Sequence, residues 1–338
     1  MDKIINFLIG TKNFLIKTLI GLKDFAVATS VFVASWWRGI IFALLLILFL
    51  YYPIGAFLVN NIDRNTDYNF APPENHLQSQ SVEIMSYIID REVNQKTWTP
   101  NLPFFFPSAI LDNMPNFQLG MFDALSDFSY SFRNAFPPDS EMKSISEFLS
   151  YNGKIWMFSP ENKITPISSA NKMYRDGRKK LKAFNQSLAD NKEVFNKRPA
   201  DLAFILKRAG ENIAKSIDEL EEHINEEKNS YTDTKSDDVF FYNQGKLYAY
   251  YLLLNAVGQD YKDLIVANNL YTRWAIITKS LADASNIAPL YIRDASLNSI
   301  VAPNHLNYLA LYALKADNNI QKTIRKLETA TGTIVNDY

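Results

Sequence analysis

The sequence contains no cysteine, only three histidines and only 11 glycines in 338 residues. Without cysteine the chain has no disulfide, no thiolate metal ligand and no thiol nucleophile. That absence fits any compartment, so it gives no location. The glycine content is low for an α/β enzyme built on phosphate-binding loops. Neither sign of charge dominates. With 35 basic and 36 acidic residues the net charge is −1, which supplies no global field to recruit nucleic acid. His76, His223 and His305 are far apart in sequence, so the helix-spaced pair that metal sites often use is missing. His223 reads as solvated on a charged helix face, and His305 as a capping or packing residue. There is no Gly-x-Ser-x-Gly elbow, Walker A loop, dinucleotide fingerprint or His-Glu-x-x-His. Ser-x-x-Lys occurs at Ser140–Lys143 and Ser169–Lys172, a spacing that can place a lysine one turn from a nucleophile. The Lys-Thr-Gly element that accompanies it in penicillin-binding enzymes is absent. No cofactor, metal site or catalytic set is expected from these residues.

Apolar residues, by contrast, are plentiful. Residues 39–59 read GIIFALLLILFLYYPIGAFLV, 21 residues without a charge. About 20 such residues match a hydrocarbon core roughly 30 Å thick, which predicts a transmembrane helix. Trp36, Trp37 and Arg38 abut one end as interfacial anchors should. Lys3, Lys12, Lys17, Lys23 and Arg38 precede the span, whereas Arg64 follows it among Asp63, Asp67 and Glu74. The positive-inside rule then leaves the N-terminus in the cytoplasm and sends the bulk of the chain across. A cleaved signal peptide fits poorly, because the run is too long and too far from Met1. Residues 1–38 mix lysines with apolar positions. They suit an amphipathic segment in the membrane interface, with partner contact and a second span at 25–37 as alternatives.

Beyond a polar linker at 60–74, residues 75–338 read as an all-α domain. Positions 117, 121, 125, 128 and 132 recur at helical spacing, with Ser108 or Asp112 available as a cap. Ala170, Tyr174, Gly177, Leu181, Phe184 and Leu188 form one seam, and Leu202 through Ile224 form another. The short break between them, with Pro199 suited to a first helical turn, predicts an antiparallel helical hairpin at 168–228. Residues 239–257 are apolar almost all round and predict the domain's central helix, capped by Asp237 or Asp238. The basic run Arg175, Arg178, Lys179, Lys180 and Lys182 reads as a solvated face.

The most unusual stretch is WTPNLPFFFPSAILDNMPNFQLG, residues 98–120. Three consecutive phenylalanines between prolines cannot form regular helix, and so much apolar surface is seldom left in water. Trp98, Phe104, Phe105 and Phe106 therefore stand as candidates to line a groove, with Asp112, Asn113, Asn116 and Gln118 as its polar contacts. The segment LDNMPNFQLG, preceded by Trp-x-Pro-x-x-Pro-Phe-Phe and an N-terminal span, resembles an uncharacterised family of bacterial inner-membrane proteins, domain of unknown function 2333. The resemblance implies a Gram-negative envelope protein with a periplasmic domain, and it carries over no catalytic residue. The expected function is a membrane-anchored scaffold or accessory subunit that binds another envelope component. Its partners would be the lipid bilayer and an envelope or membrane protein, with a homo-oligomer left open and nucleic acid excluded. The alternatives are a periplasmic enzyme on cell-wall or lipid substrates, with a site around Asp112, Asn116 and Gln118, and a lipid or small-ligand binder using the aromatic loop.

Overall fold

A computed structural model of the chain describes residues 2–68, 75–103, 105–107, 112–158, 166–226, 235–288 and 305–331. The protein is all-α. Among the described residues the only strand-like pairing is an isolated bridge between Phe158 and Pro166. The chain divides into two compact units, residues 1–55 and 56–338.

The first unit lies in helix α1, Asp2–Val59, 58 residues that run through Pro53 without a break. At 1.5 Å per residue the helix is roughly 87 Å long, far more than one bilayer core requires. The amphipathic segment and the predicted span are thus parts of one helix. A second span at 25–37 would need a chain reversal before residue 39, and α1 contains none. Among the described residues α1 holds the single helix long and apolar enough to cross a membrane. Phe14, Leu45 and Phe49 are among its many exposed apolar side chains. Trp36 and Trp37 are exposed as well, and the Arg38 guanidinium lies 5.4 Å from the Trp37 ring centroid.

Among the described residues the second unit contains nine further helices, α2 Gln80–Ile89, α3 Asn113–Phe132, α4 Met142–Leu149, α5 Ala170–Ala189, α6 Pro199–Glu226, α7 Ser236–Asp260, α8 Lys262–Ala267, α9 Tyr271–Ser285 and α10 His305–Thr331. As its all-round apolar pattern requires, α7 is the central helix and packs on α2, α3, α6, α9 and α10. Its closest neighbour is α3. Gly120 on α3 sits against the Tyr242 carbonyl, and Gly245 on α7 sits against the Phe117 carbonyl. A Cβ at either glycine would overlap that backbone, so the pair sets how near the two helices come. Asp237 and Asp238 lie inside the first turn of α7 instead of at its cap, because the helix opens earlier, at Ser236.

The two seam helices differ from the simple hairpin picture. Pro199 does open α6. However, α6 packs chiefly on α10, α3 and α7, whereas α5 packs on α2 and α4. A heptad-like stripe shows that a face must be buried, but it does not name the covering helix. Here the neighbours in sequence are not the main partners in space.

A π-helical turn, Asp90–Gln95, extends α2, and α5 grips it. Arg178 pairs with Asp90 at 3.0 Å, while Arg175 donates to Asn94 Oδ1 and to the Val93 carbonyl. Two members of the basic run therefore bond within the domain instead of only facing solvent. Residues 60–68 are also bonded to the domain. Tyr248 and Tyr251 donate to the carbonyls of Asn65 and Thr66, Arg64 donates to the Ile287 carbonyl, and Lys96 donates to the Asn61 carbonyl.

Candidate functional site

The structure separates the predicted groove residues into two groups. Trp98 is fully buried. Its indole N–H donates to the Gly153 carbonyl at 2.9 Å, and its ring packs between Phe122 and Tyr174. Gln118 is also fully buried. Its side-chain oxygen accepts from the N–H and hydroxyl of Thr99, and its amide donates to Glu92 and the Thr97 carbonyl. Both residues fasten the proline-rich loop to α3, so neither is open to a ligand. Phe105 is 49% exposed and Phe106 is half-buried, whereas Phe104 lies outside the described residues.

Asp112, Asn113 and Asn116 belong to the second group. Asp112 occupies the cap position of α3 without a capping bond from its side chain. Asn113 is half-buried at the first helical residue. The Asn116 amide donates to Asp238 on α7. Burial raises the Asp238 carboxyl, the nearby Asp112 and Asp237 raise it further, and Asn116 only partly offsets them, so it is pushed up to about 6. Sequence spacing could not have found this cluster, because its parts are more than 100 residues apart and Asp238 resembles an ordinary helix-start acid.

Of these residues Asn116 and Asp238 border a cavity of about 380 Å³ between α3, α6 and α7, whose walls also include Glu219, Glu222, His223 and Asn243. His223 is buried, with its ring Nε2 3.1 Å from the Ser236 hydroxyl, which corrects its reading as a solvated residue. A second cavity of about 560 Å³ shares Glu219 and Tyr242 and continues along α3 and α4 past Asp127, Arg133 and Glu147. Lys246 lies between the acids of both cavities. Its side chain is 2% exposed, and its ammonium is 3.2 Å from Asp123 and 4.0 Å from Glu219. A lone lysine within a run such as YNQGKLYAYY is the sequence signal for such a pair, since an unpaired ammonium could not be buried there.

Two further charged groups are structural. Arg91 is buried beside Glu92 at 2.6 Å and donates to the Tyr248 hydroxyl at 2.7 Å. Burial opposes its charge, but Glu92 and Tyr248 hold its pKa above the ordinary arginine value. Asp260, at the end of α7, accepts from the Ser79 hydroxyl and from the backbone N–H groups of Gln80 and Ser81, at 2.8, 2.8 and 2.9 Å. It satisfies the open N-terminus of α2 from another helix. Burial nevertheless lifts its carboxyl above the usual range, despite the lowering effect of those bonds. The Ser-x-x-Lys pair at Ser169–Lys172 is likewise structural. Ser169 caps α5, and Lys172 reaches Asp176 at 2.7 Å. Among the described residues no group of three histidine or acidic side chains could hold a metal ion.

Taken together, the chain is an all-α domain carrying one long apolar N-terminal helix, with polar cavities along α6 and α7. Residues 103–213 match the bacterial family described as "Uncharacterized protein conserved in bacteria (DUF2333)". That match includes most of the LDNMPNFQLG-bearing segment through which the resemblance was seen, together with α3, α4, α5 and the first half of α6. No curated protein and no solved structure matches the chain.

Proposed function

We propose that this is a single-pass inner-membrane protein of a bacterial envelope, whose helical domain faces the periplasm and docks another envelope component. The observation that carries the reading is α1, 58 residues long with its apolar side chains exposed. Such a surface needs lipid or protein around it. The lysine-dotted side of the span supports a cytoplasmic N-terminus.

The surface offered to the partner is the charged hollow along α3, α4, α6 and α7. It mixes Arg133 and Lys215 with Asp127 and Glu147, the alternation of charge that selects partners and fixes register. A photo-crosslinking residue at Glu147 or Lys215 should yield one discrete adduct in intact cells. The same residue at Lys322 on α10 should not. Adducts that were identical from all three positions, or absent from all three, would count against docking at this face.

One observation favours a second reading, an enzyme on cell-wall or lipid substrates. Asp238, raised to about 6 beside Asp112, is a carboxyl that can exchange a proton near neutrality. Under that reading Asp112→Ala abolishes function without loss of stability. An unchanged cellular phenotype in that variant excludes it.

A further inference from the structure

We infer that the helical domain touches the bilayer a second time, through an apolar hairpin and the basic face of α5, and that its partner there is an anionic phospholipid surface. The arms of the hairpin are residues 154–158 and 166–170. The Ile167 N–H donates to the Met157 carbonyl at 2.8 Å and the Ala170 N–H to the Ile155 carbonyl at 2.9 Å, and Phe158 pairs with Pro166 beyond them. The foot of the hairpin is fixed to the domain. Trp98 donates to the Gly153 carbonyl, Asn101 to the Ile155 carbonyl, Tyr151 to the Ser168 carbonyl and Tyr174 to the Tyr151 carbonyl. On this stem Trp156, Met157, Phe158 and Ile167 are each 37–50% exposed. Large apolar side chains grouped on one element are seldom left in water.

Exposure alone does not say what covers them, but charge and position do. Residues 170–182 hold six basic side chains and one acid, Asp176. Lys172, Arg175, Lys179 and Lys182 lie on the exposed side of α5, which starts where the hairpin ends. Lys172 and Lys179 both reach Asp176, so part of the charge is balanced and a net positive face remains. Exposed Lys154 adds to it at the other arm. Aromatic side chains flanked by lysines suit the headgroup layer of a bilayer. Position points to the same partner. Lys96 donates to the Asn61 carbonyl, and Asn61 is two residues past the end of α1. Trp98, two residues on from Lys96, holds Gly153 at the hairpin foot. Even fully stretched, that path spans about 25 Å, less than the roughly 30 Å of one hydrocarbon core. Arg175 is tied to the same segment through Asn94 and Val93. The exit from the span, the hairpin and the basic face are therefore fastened to one short stretch of chain. A bilayer that holds residues 39–59 must pass close to all three. This contact rests on that span and on no envelope partner.

The test uses the full-length protein in nanodiscs rich in phosphatidylglycerol. The chain has no cysteine, so Met157→Cys, Lys322→Cys and Leu46→Cys each carry one environment-sensitive fluorophore. Lipids spin-labelled near the headgroup quench a dye that enters the bilayer. Quenching and a blue shift are expected at position 157, and at position 46 within the span. Neither is expected at position 322, which lies beside Arg273 at the start of α9. Phe158→Cys is a second labelling site if the first variant folds poorly. Phosphatidylcholine nanodiscs should quench position 157 less. Lys179→Glu with Lys182→Glu, both exposed, should lower the ratio of docked to undocked hairpin by about tenfold or more. Quenching at position 46 without quenching at 157 or 158 overturns the second contact, leaves the span intact and gives the face to a protein occupant. Absence of quenching at position 46 as well overturns the span with it. Quenching at 157 that neither phosphatidylcholine nor the charge reversals reduce overturns the anionic surface as the partner.

Discussion

Gly245 and Asp238 lie a few residues apart on α7, and each depends on something across the chain. The absent Cβ of Gly245 makes room for the Phe117 carbonyl. Gly245→Ala must push α3 and α7 apart, because a backbone carbonyl cannot rotate away as a side chain can. The expected cost is about 3 kcal/mol, measured by chemical denaturation. Gly21→Ala, inside α1 with no atom within 4 Å of the added methyl, should not destabilise the chain. Asp238 makes a pH prediction of the opposite kind. Its folded pKa, about 6, lies above the unfolded value near 3.9. The folded state then binds more protons than the unfolded one between roughly pH 4 and 6. Stability contributed by this carboxyl is present below that window and is lost as pH rises through it. Asp238→Asn should thus stabilise the domain at pH 7, by up to about 1 kcal/mol after solvent screening, and should show no gain at pH 4. A gain that persisted at pH 4 would show that burial of the charged carboxyl and its crowding with Asp112 are not the cause.

At the scale of elements, much of the fold was legible and the pairing of helices was not. The all-round apolar run that became α7 could only be central, and Pro199 could only suit a helix start. The seams of α5 and α6 were visible as stripes, but a stripe carries no address, and each found its partner elsewhere. The proline-rich loop was legible as apolar and irregular. Its role was not, because burial of Trp98 and Gln118 depends on Gly153 and Glu92, residues that only the folded chain brings near. The π turn after α2 gives a test at this scale. Arg91 links that turn to α7, with Glu92 fully buried at its side. Arg91→Met would leave a buried carboxylate hydrogen-bonded only to the Gln118 amide, at a cost of about 3–5 kcal/mol. Adding Glu92→Gln should recover most of the loss, since it removes the stranded charge. If the double variant were as unstable as the single one, the penalty would be lost packing and not an unpaired charge.

At the scale of the whole molecule, the account rests on one long apolar helix and a polar-surfaced domain behind it. The apolar run, its flanking tryptophans and its charge asymmetry were all legible in the sequence. Its continuity with residues 2–38 was not, because interspersed lysines read equally well as an interfacial or a separate segment. The lack of cysteine makes topology directly measurable, since each introduced thiol is the only one in the chain. Lys12→Cys and Lys322→Cys place single thiols on α1 and α10. A membrane-impermeant maleimide should be applied to spheroplasts and then to lysed cells. The account predicts that the thiol at position 322 labels in intact spheroplasts, and that the thiol at position 12 labels only after lysis. Labelling at position 12 with protection at position 322 would place the domain in the cytoplasm and contradict the account.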